Sequence, residues 1–212
     1  RLAVPPEAAA LADSALARAG LPKDGSVVLL APGAAFADLH QVHGAEVEVV
    51  GESPRPGRPD ADALVTDRAD VVLVVRAADC VPVLFADPAA GVIGAAHCGR
   101  MGLAHGVVLA TVDRLRAQGA LDLNAWVGPH VCGSCYEVPA SLQAEVGTVE
   151  PASVATTSWG TPSLDLGAGV RAQLERAGVE VVDAGGCTRE SPDLYSFRRD
   201  GAGAGRLAGL VR

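Results

Sequence analysis

The sequence predicts a single α/β domain built on a mixed sheet, in the α+β sense, and three observations predict it. Short apolar runs that read as strands alternate irregularly with helical stretches, without a repeating strand-helix-strand beat. The 212 residues fit one domain, at roughly 150 residues per domain. Hydrophobic residues make up 49% and aromatics only 3%, so the core must be assembled from Ala, Val and Leu by close backbone packing. No internal repeat or linker asks for a second domain, so residues 1–212 are read as one.

Taken in order, PPEAAALADSALARAG from Pro5 to Gly20 reads as a helix that opens on prolines and an acid and stops at glycine. SVVLLA from Ser26 is a buried-strand candidate. VHGAEVEVV alternates apolar with polar or small residues and suggests a strand with one wet face. The segment from Gly51 to Pro59 is a loop, and DALVTD is a short strand between acids. Asp70 to Arg76 holds the most continuous apolar run. In VPVLFADP the proline is expected to interrupt regular pairing, and Asp87-Pro88 turns the chain into GVIGAAH. Gly102 to Gln118 has the spacing of one amphipathic helix, carried by Leu103, Val107, Val108, Ala110, Val112 and Leu115 and closed by Gly119. AWVGPH is a strand ending in a Gly-Pro turn. Ser141 to Val146 and Asp165 to Ala177 read as helices, the second closed by Gly178. VEVVDAG is the last expected strand, before a tail rich in Gly and Arg.

The net charge of -8 argues against broad nucleic-acid binding, which needs a basic face to neutralise phosphates. No apolar run approaches the roughly 20 residues that cross a bilayer and no signal-peptide pattern is visible, so a soluble cytoplasmic protein acting on small molecules is expected. Five cysteines do not read as a disulfide framework. Arg1 is not an initiator methionine, and the N-terminal segment is expected to be incomplete.

Chemistry gathers around GVIGAAHCGRMG, Gly91 to Gly102, where an apolar run ends in His97 and passes into glycine-rich sequence. QVHG, Gln41 to Gly44, and VVLVVRAADC, Val71 to Cys80, share this form. His43, Cys80 and His97 therefore make a candidate three-ligand site, and one Cys with two His is a known catalytic zinc set that leaves a fourth position open. The plainer alternative is three unrelated buried or surface residues. Asp79 and Gln41 are neighbouring polar groups able to orient a ligand ring or bound water; capping or turn formation is the plainer role for Asp79.

A rival cluster lies in GPHVCGSC, where His130, Cys132 and Cys135 can share an ion, cycle through a disulfide, or simply pack in a turn. The zinc nucleobase-deaminase signature is absent, since His43 is followed by Gly44, Ala45 and Glu46, and Val131 precedes Cys132. For an anionic partner the candidate donors are Arg100, Arg198 and Arg199; if the last two lie on a strand, only one faces a site. His40 and His105 are further candidates, with packing or surface roles as the alternative. P-loop, G-x-G-x-x-G and G-x-S-x-G patterns are missing, which removes the usual support for nucleotide-triphosphate, Rossmann and α/β-hydrolase readings.

In order, QVHG, DALVTD, ADCVPVLFADP, GAAHCGRMG, VGPHVCGSCYEV, LDL, Cys187-Thr188 and YSFRRD resemble the YfiH-like family, also known as laccase-domain or polyphenol oxidase proteins and later as purine nucleoside phosphorylases. The match runs from about Gln41 to the C-terminus. It implies a cytotoxic-necrotizing-factor/YfiH-like fold and a metal, usually zinc, held by His43, Cys80 and His97. It further implies phosphorolysis of adenosine, inosine, guanosine and methylthioadenosine, with a purine nucleoside and inorganic phosphate as partners and adenosine deamination as a second activity. In that reading Arg100 or Arg198 binds phosphate, Gln41 lines the substrate site and Asp79 carries a proton. Two departures stand out: many relatives read A-G-W-R-G after the histidine where this chain has Cys98, Gly99, Arg100, Met101 and Gly102, and the family's N-terminal segment has no clear counterpart before Gln41. The alternatives are a copper-dependent polyphenol oxidase, for which five histidines are few, and a metal-binding protein without turnover.

Overall fold

A computed structural model describes residues 35–51 and 57–212. The helix expected at Pro5 to Gly20 and the strand expected from Ser26 lie outside the described residues. Phe36–Arg212 forms one compact unit.

Its centre is a six-stranded mixed sheet in the order β10-β7-β5-β6-β3-β2. The strands are β2 (Val47–Val49), β3 (Ala63–Thr66), β5 (Val81–Asp87), β6 (Val92–Cys98), β7 (Asn124–Val127) and β10 (Glu180–Asp183). β2 runs parallel to β3 and β10 parallel to β7, while β3, β5, β6 and β7 are mutually antiparallel neighbours. A second sheet, β1-β4-β11, joins β1 (Ala35–Ala37), β4 (Val71–Ala77) and β11 (Leu207–Val211). A small antiparallel pair, β8 (Val154–Thr156) and β9 (Pro162–Leu164), stands apart. The helices are α1 (Arg100–His105), α2 (Val107–Ala117), α3 (Ala140–Val149), α4 (Leu166–Arg176) and α5 (Phe197–Asp200).

Side chains alternate across the central sheet and so build two cores. Val81, Val83 and Phe85 of β5, with Ala63 and Val65 of β3, face Leu103, Val107, Val112 and Leu115 of α1 and α2 and Val170 and Leu174 of α4. Leu64 of β3 and Ala95 of β6 point the other way, onto Leu73 and Val75 of β4 and Ala37 of β1. Small residues allow close approach: a Cβ on Gly94 would lie 3.1 Å from the Leu115 side chain.

Four expectations are corrected. The strand expected over VHGAEVEVV starts only at Val47, because His43 takes a left-handed φ of 63° and turns the chain. Pro82 does not interrupt β5. It pairs with His97 of β6 and lies one residue before the β7 register begins at Val83, where its missing N–H removes no bond to β7. The single helix expected at Gly102 to Gln118 is two, divided at Gly106, whose φ of 76° ends α1 and starts α2. The Gly- and Arg-rich tail carries α5 and β11, so Arg198 and Arg199 are helical neighbours and not strand neighbours. The helix expected over Asp165 to Ala177 is α4, and Asp165 is its N-cap, accepting from the Ala168 N–H.

Asp87 closes β5 as a hub. One oxygen accepts the N–H groups of Ala89 and Ala90, the other those of Leu121 and Asp122 ahead of β7. These backbone donors hold its carboxyl at about 2. Its stabilising effect is therefore complete above the ordinary value of 3.8 and is lost as pH falls through about 2. Asp87→Asn is expected to lower the thermal midpoint at pH 7, with the gap from the parent chain closing between those two values; a gap constant down to pH 2 would contradict this.

Candidate metal centre

Strand directions place the site. β2, β3 and β5 begin at the end of the sheet where β6, β7 and β10 finish. His43 precedes β2, Cys80 immediately precedes β5, and His97 is the penultimate residue of β6, so all three meet at that end. Their donor atoms lie within 4.8 Å of one another. The two imidazoles meet edge to face, centroids 4.9 Å apart. Cys98, the next thiol along, points into the core, where burial pushes its thiol far above its usual range.

Asp62, the residue just before β3, orders this corner. Its buried carboxylate accepts the N–H groups of Val42, His43 and Gly44 at 3.2, 3.0 and 2.6 Å and sits 2.8 Å from His97 Nδ1. It thus stabilises the left-handed turn at His43 and fixes the His97 ring so that Nε2 is left for a ligand. The positive-φ residues other than glycine, among those described, are His43 and Asp79, at 63° and 90°. Both are at the triad, one as a member and one next to Cys80, and such backbone strain persists where surroundings over-determine it.

The electrostatics favour a thiolate. Burial would raise Cys80, but hydrogen bonds with His43 and His97 outweigh it and bring the thiol down to about 7. Burial opposes charge on His97, yet Asp62 and Cys80 carry it up to about 9. The hydrogen bond to Cys80 also raises His43, against burial. Thiolate is the metal-binding form of cysteine. Gly99 completes the fit: a Cβ there would lie 2.9 Å from His43 Cδ2 and 3.1 Å from Cys80 Sγ. A Cys with two His, a carboxylate on one ring and a glycine-lined approach suit a metal ion.

The other expected site residues surround this corner. Gln41 clamps the backbone of Arg76, donating to its carbonyl at 2.7 Å and accepting its N–H at 2.8 Å, and so ties the QVHG turn to β4. Asp79 accepts from Thr188 Oγ1 and from the Arg198 N–H, both at 2.7 Å, which brings α5 beside Cys80. The Arg198 side chain lies over the Tyr136 ring and donates to the Glu137 carbonyl. Arg100 opens α1 directly after Gly99, and among the described residues its guanidinium hydrogen-bonds the Met101 thioether, a weak acceptor, at 3.3 Å. Arg199 instead binds Asp200 and the carbonyls of Thr188, Ser191 and Leu194. His130 leaves the rival cluster: its Nδ1 bonds the Gly128 carbonyl and its ring packs against Gly167. His40 pairs with Asp60 at the surface. Sequence reasoning missed Asp62, Gly99 and Thr188. For Asp62 the available signal was an acid directly ahead of a strand.

No helix of the described residues is long and apolar enough to cross a membrane. The chain matches the family model described as multi-copper polyphenol oxidoreductase laccase over residues 26–212. It is 53% identical over 178 residues to a protein named purine nucleoside phosphorylase from Streptomyces coelicolor, covering 82% of this chain and 73% of that one. A protein of the same name from Mycobacterium tuberculosis is 44% identical over 183 residues, covering 85% and 73%. Among solved structures, YlmD from Geobacillus stearothermophilus superposes with a TM-score of 0.72 at 30% identity, over 82% of this chain and 72% of that one. The hypothetical protein YfiH of Bacillus licheniformis gives 0.73 at 25% identity, over 82% and 73%. Sequence and fold agree, and the chain belongs to the YfiH-like, laccase-domain family.

Proposed function

We propose that this protein is a zinc-binding purine nucleoside phosphorylase acting on adenosine, inosine, guanosine and methylthioadenosine, with adenosine deamination as a second activity. The observation that carries the reading is the convergence of His43, Cys80 and His97 at one end of the sheet, in a chain whose relatives bear the phosphorylase name. The three residues would hold the ion, and zinc there supplies a Lewis acid with one coordination position for substrate.

In phosphorolysis a phosphate oxygen forms a bond to C1′ as the C1′–N9 bond breaks, and the purine leaves with the electron pair and takes a proton. Positive charge grows on the ribose and negative charge on the base, so the site needs a held phosphate and a proton donor. Arg100 fits the phosphate role because its guanidinium has no ion pair among the described residues and stands next to Gly99. Arg198 is the second candidate, brought to the triad through Asp79. Gln41 acts by fixing the QVHG turn that faces substrate. Asp79 positions α5 and is the carboxyl assigned the proton-carrying role in deamination.

Zinc is favoured over copper because the histidines are dispersed. His40 and His130 are engaged away from the triad, and multicopper oxidation needs more imidazoles than His43 and His97. The family description keeps copper-dependent polyphenol oxidation as a second reading. Purified protein should release base from adenosine only with phosphate present, carry zinc, and lose on the order of 100-fold or more in kcat as Cys80→Ala. Equal turnover by the two proteins would remove the triad mechanism; several copper equivalents with phenol oxidation would favour the second reading, and zinc without turnover would indicate a binding protein.

A further inference from the structure

A second group of donors stands apart from the triad. Cys132, Cys135, Cys187 and Glu190 place three sulfurs and a carboxylate oxygen within 4.8 Å of one another. Cys132 and Cys135 come from the loop after β7, and Cys187 and Glu190 from the loop after β10; β7 and β10 are parallel, so both loops leave the same end of the sheet. An isolated parallel bridge pairs His130 with Cys187: the His130 N–H donates to the Gly186 carbonyl at 3.2 Å and the Thr188 N–H to the His130 carbonyl at 3.0 Å.

The local backbone has the form of a chelating knuckle. Cys132 and Cys135 close a tight turn in which the Cys132 carbonyl accepts the N–H groups of Cys135 and Tyr136 at 3.0 Å. Cys187 Sγ accepts the Cys132 N–H at 3.4 Å. Glu190 Oε1 lies 3.3 Å from Cys135 Sγ and 3.8 Å from Cys132 Sγ. The neighbouring cation does not neutralise the group: Arg189 donates to the Cys135 carbonyl and lies over the Trp159 ring. Burial, reinforced by the adjacent acids and thiols, accordingly raises Cys135 and Cys132, while backbone N–H groups lower Cys187 in spite of burial. Three sulfurs and a carboxylate oxygen this close together suit a soft divalent ion.

We propose that Cys132, Cys135, Cys187 and Glu190 form a second, structural zinc site that clips the two loops together. Tetrahedral zinc at about 2.3 Å from sulfur sets donors roughly 3.8 Å apart, so closure needs movements of about 1 Å or less. Four protein ligands leave no open position, unlike the triad, so the role is structural. The clip reaches the first site through Thr188, which follows Cys187 and donates to Asp79 beside Cys80. The site does not depend on the activity proposed above.

The test is zinc alone, titrated into the metal-stripped protein against a chromophoric chelator, in the parent chain, Cys80→Ala and Cys187→Ser. Two equivalents are expected in the parent; Cys187→Ser should lose one that Cys80→Ala retains. Cobalt in place of zinc should lose most of its thiolate charge-transfer absorption in Cys187→Ser, since three of the four ligating sulfurs belong to this site. Should Cys187→Ser fail to fold, Glu190→Gln at the surface should weaken the second equivalent about tenfold or more while leaving the first unchanged. A single equivalent that disappears with Cys80→Ala, a disulfide between two of these cysteines in freshly purified protein, or unaltered zinc affinity in Glu190→Gln would each overturn the proposal.

Discussion

Asp62→Ala is expected to weaken metal binding at the triad by roughly 10- to 100-fold, the range for partners that orient a ligand, and to destabilise the metal-free chain by about 3 kcal/mol or more, as when one partner of a buried charged network is removed. The reason is its double employment. One carboxylate stabilises three N–H groups of the QVHG turn and holds the His97 ring, so its loss frees both histidines at once. Hydrogen bonding by His97 and by the Gly44 and His43 N–H groups prevails over burial and keeps the carboxyl below its ordinary value, so it is ionised at neutral pH. Asp62→Asn separates the two effects: the amide retains the shape and can still accept from part of the turn, but it replaces the negative charge beside His97. Chelator competition should then show weakened metal binding with a smaller loss in urea unfolding. Parent-like affinity in both variants would show that Asp62 serves the turn alone.

Much of this corner is legible in the sequence, and the limits have physical causes. His97 is legible because an apolar run with strand character ends at it and glycines follow, which is a local signal. Cys80 and His43 share that signal more weakly. Asp62 is not legible as their partner because it lies 35 residues from His97, and only the antiparallel pairing of Ala63 with Ala96 brings them together. The second cysteine group shows the same limit. Cys132 and Cys135 stand out by spacing and the local sequence groups His130 with them, but Cys187 and Glu190 arrive through the parallel pairing of β10 with β7. Gly106 falls inside a periodic apolar pattern, so periodicity alone reads through it; the break comes from a left-handed φ. The last strand is hidden in a stretch that composition marks as tail, because β11 gains its order by pairing with β4 across more than half the chain.

Gly99→Ala is expected to leave the fold nearly intact and to reduce metal affinity and turnover by roughly tenfold or more, comparable with loss of an orienting partner. Backbone strain cannot account for such an effect: Gly99 has φ −84° and ψ −177°, extended geometry open to alanine, and it caps α1 without a side-chain bond. What alanine adds is a methyl carbon 2.9 Å from His43 Cδ2, closer than such atoms approach, and 3.1 Å from Cys80 Sγ, a tight contact that the thiol must yield to relieve. Neither neighbour yields cheaply. His43 is held through its own N–H by Asp62, and Cys80 follows Asp79, whose carboxylate is fixed by Thr188 and Arg198. Relief therefore comes from separating the two donors, which is the coordinate a shared ion depends on. A second variant tests the cause: Gly57→Ala, at a φ of 97° with open space around the added carbon, introduces strain without touching the triad and should leave metal binding unchanged. Thermal unfolding of the metal-free Gly99→Ala protein near the parent midpoint, together with weakened zinc binding, would match the steric account. A large drop in that midpoint with unchanged zinc affinity would instead place the function of Gly99 in the entry to α1.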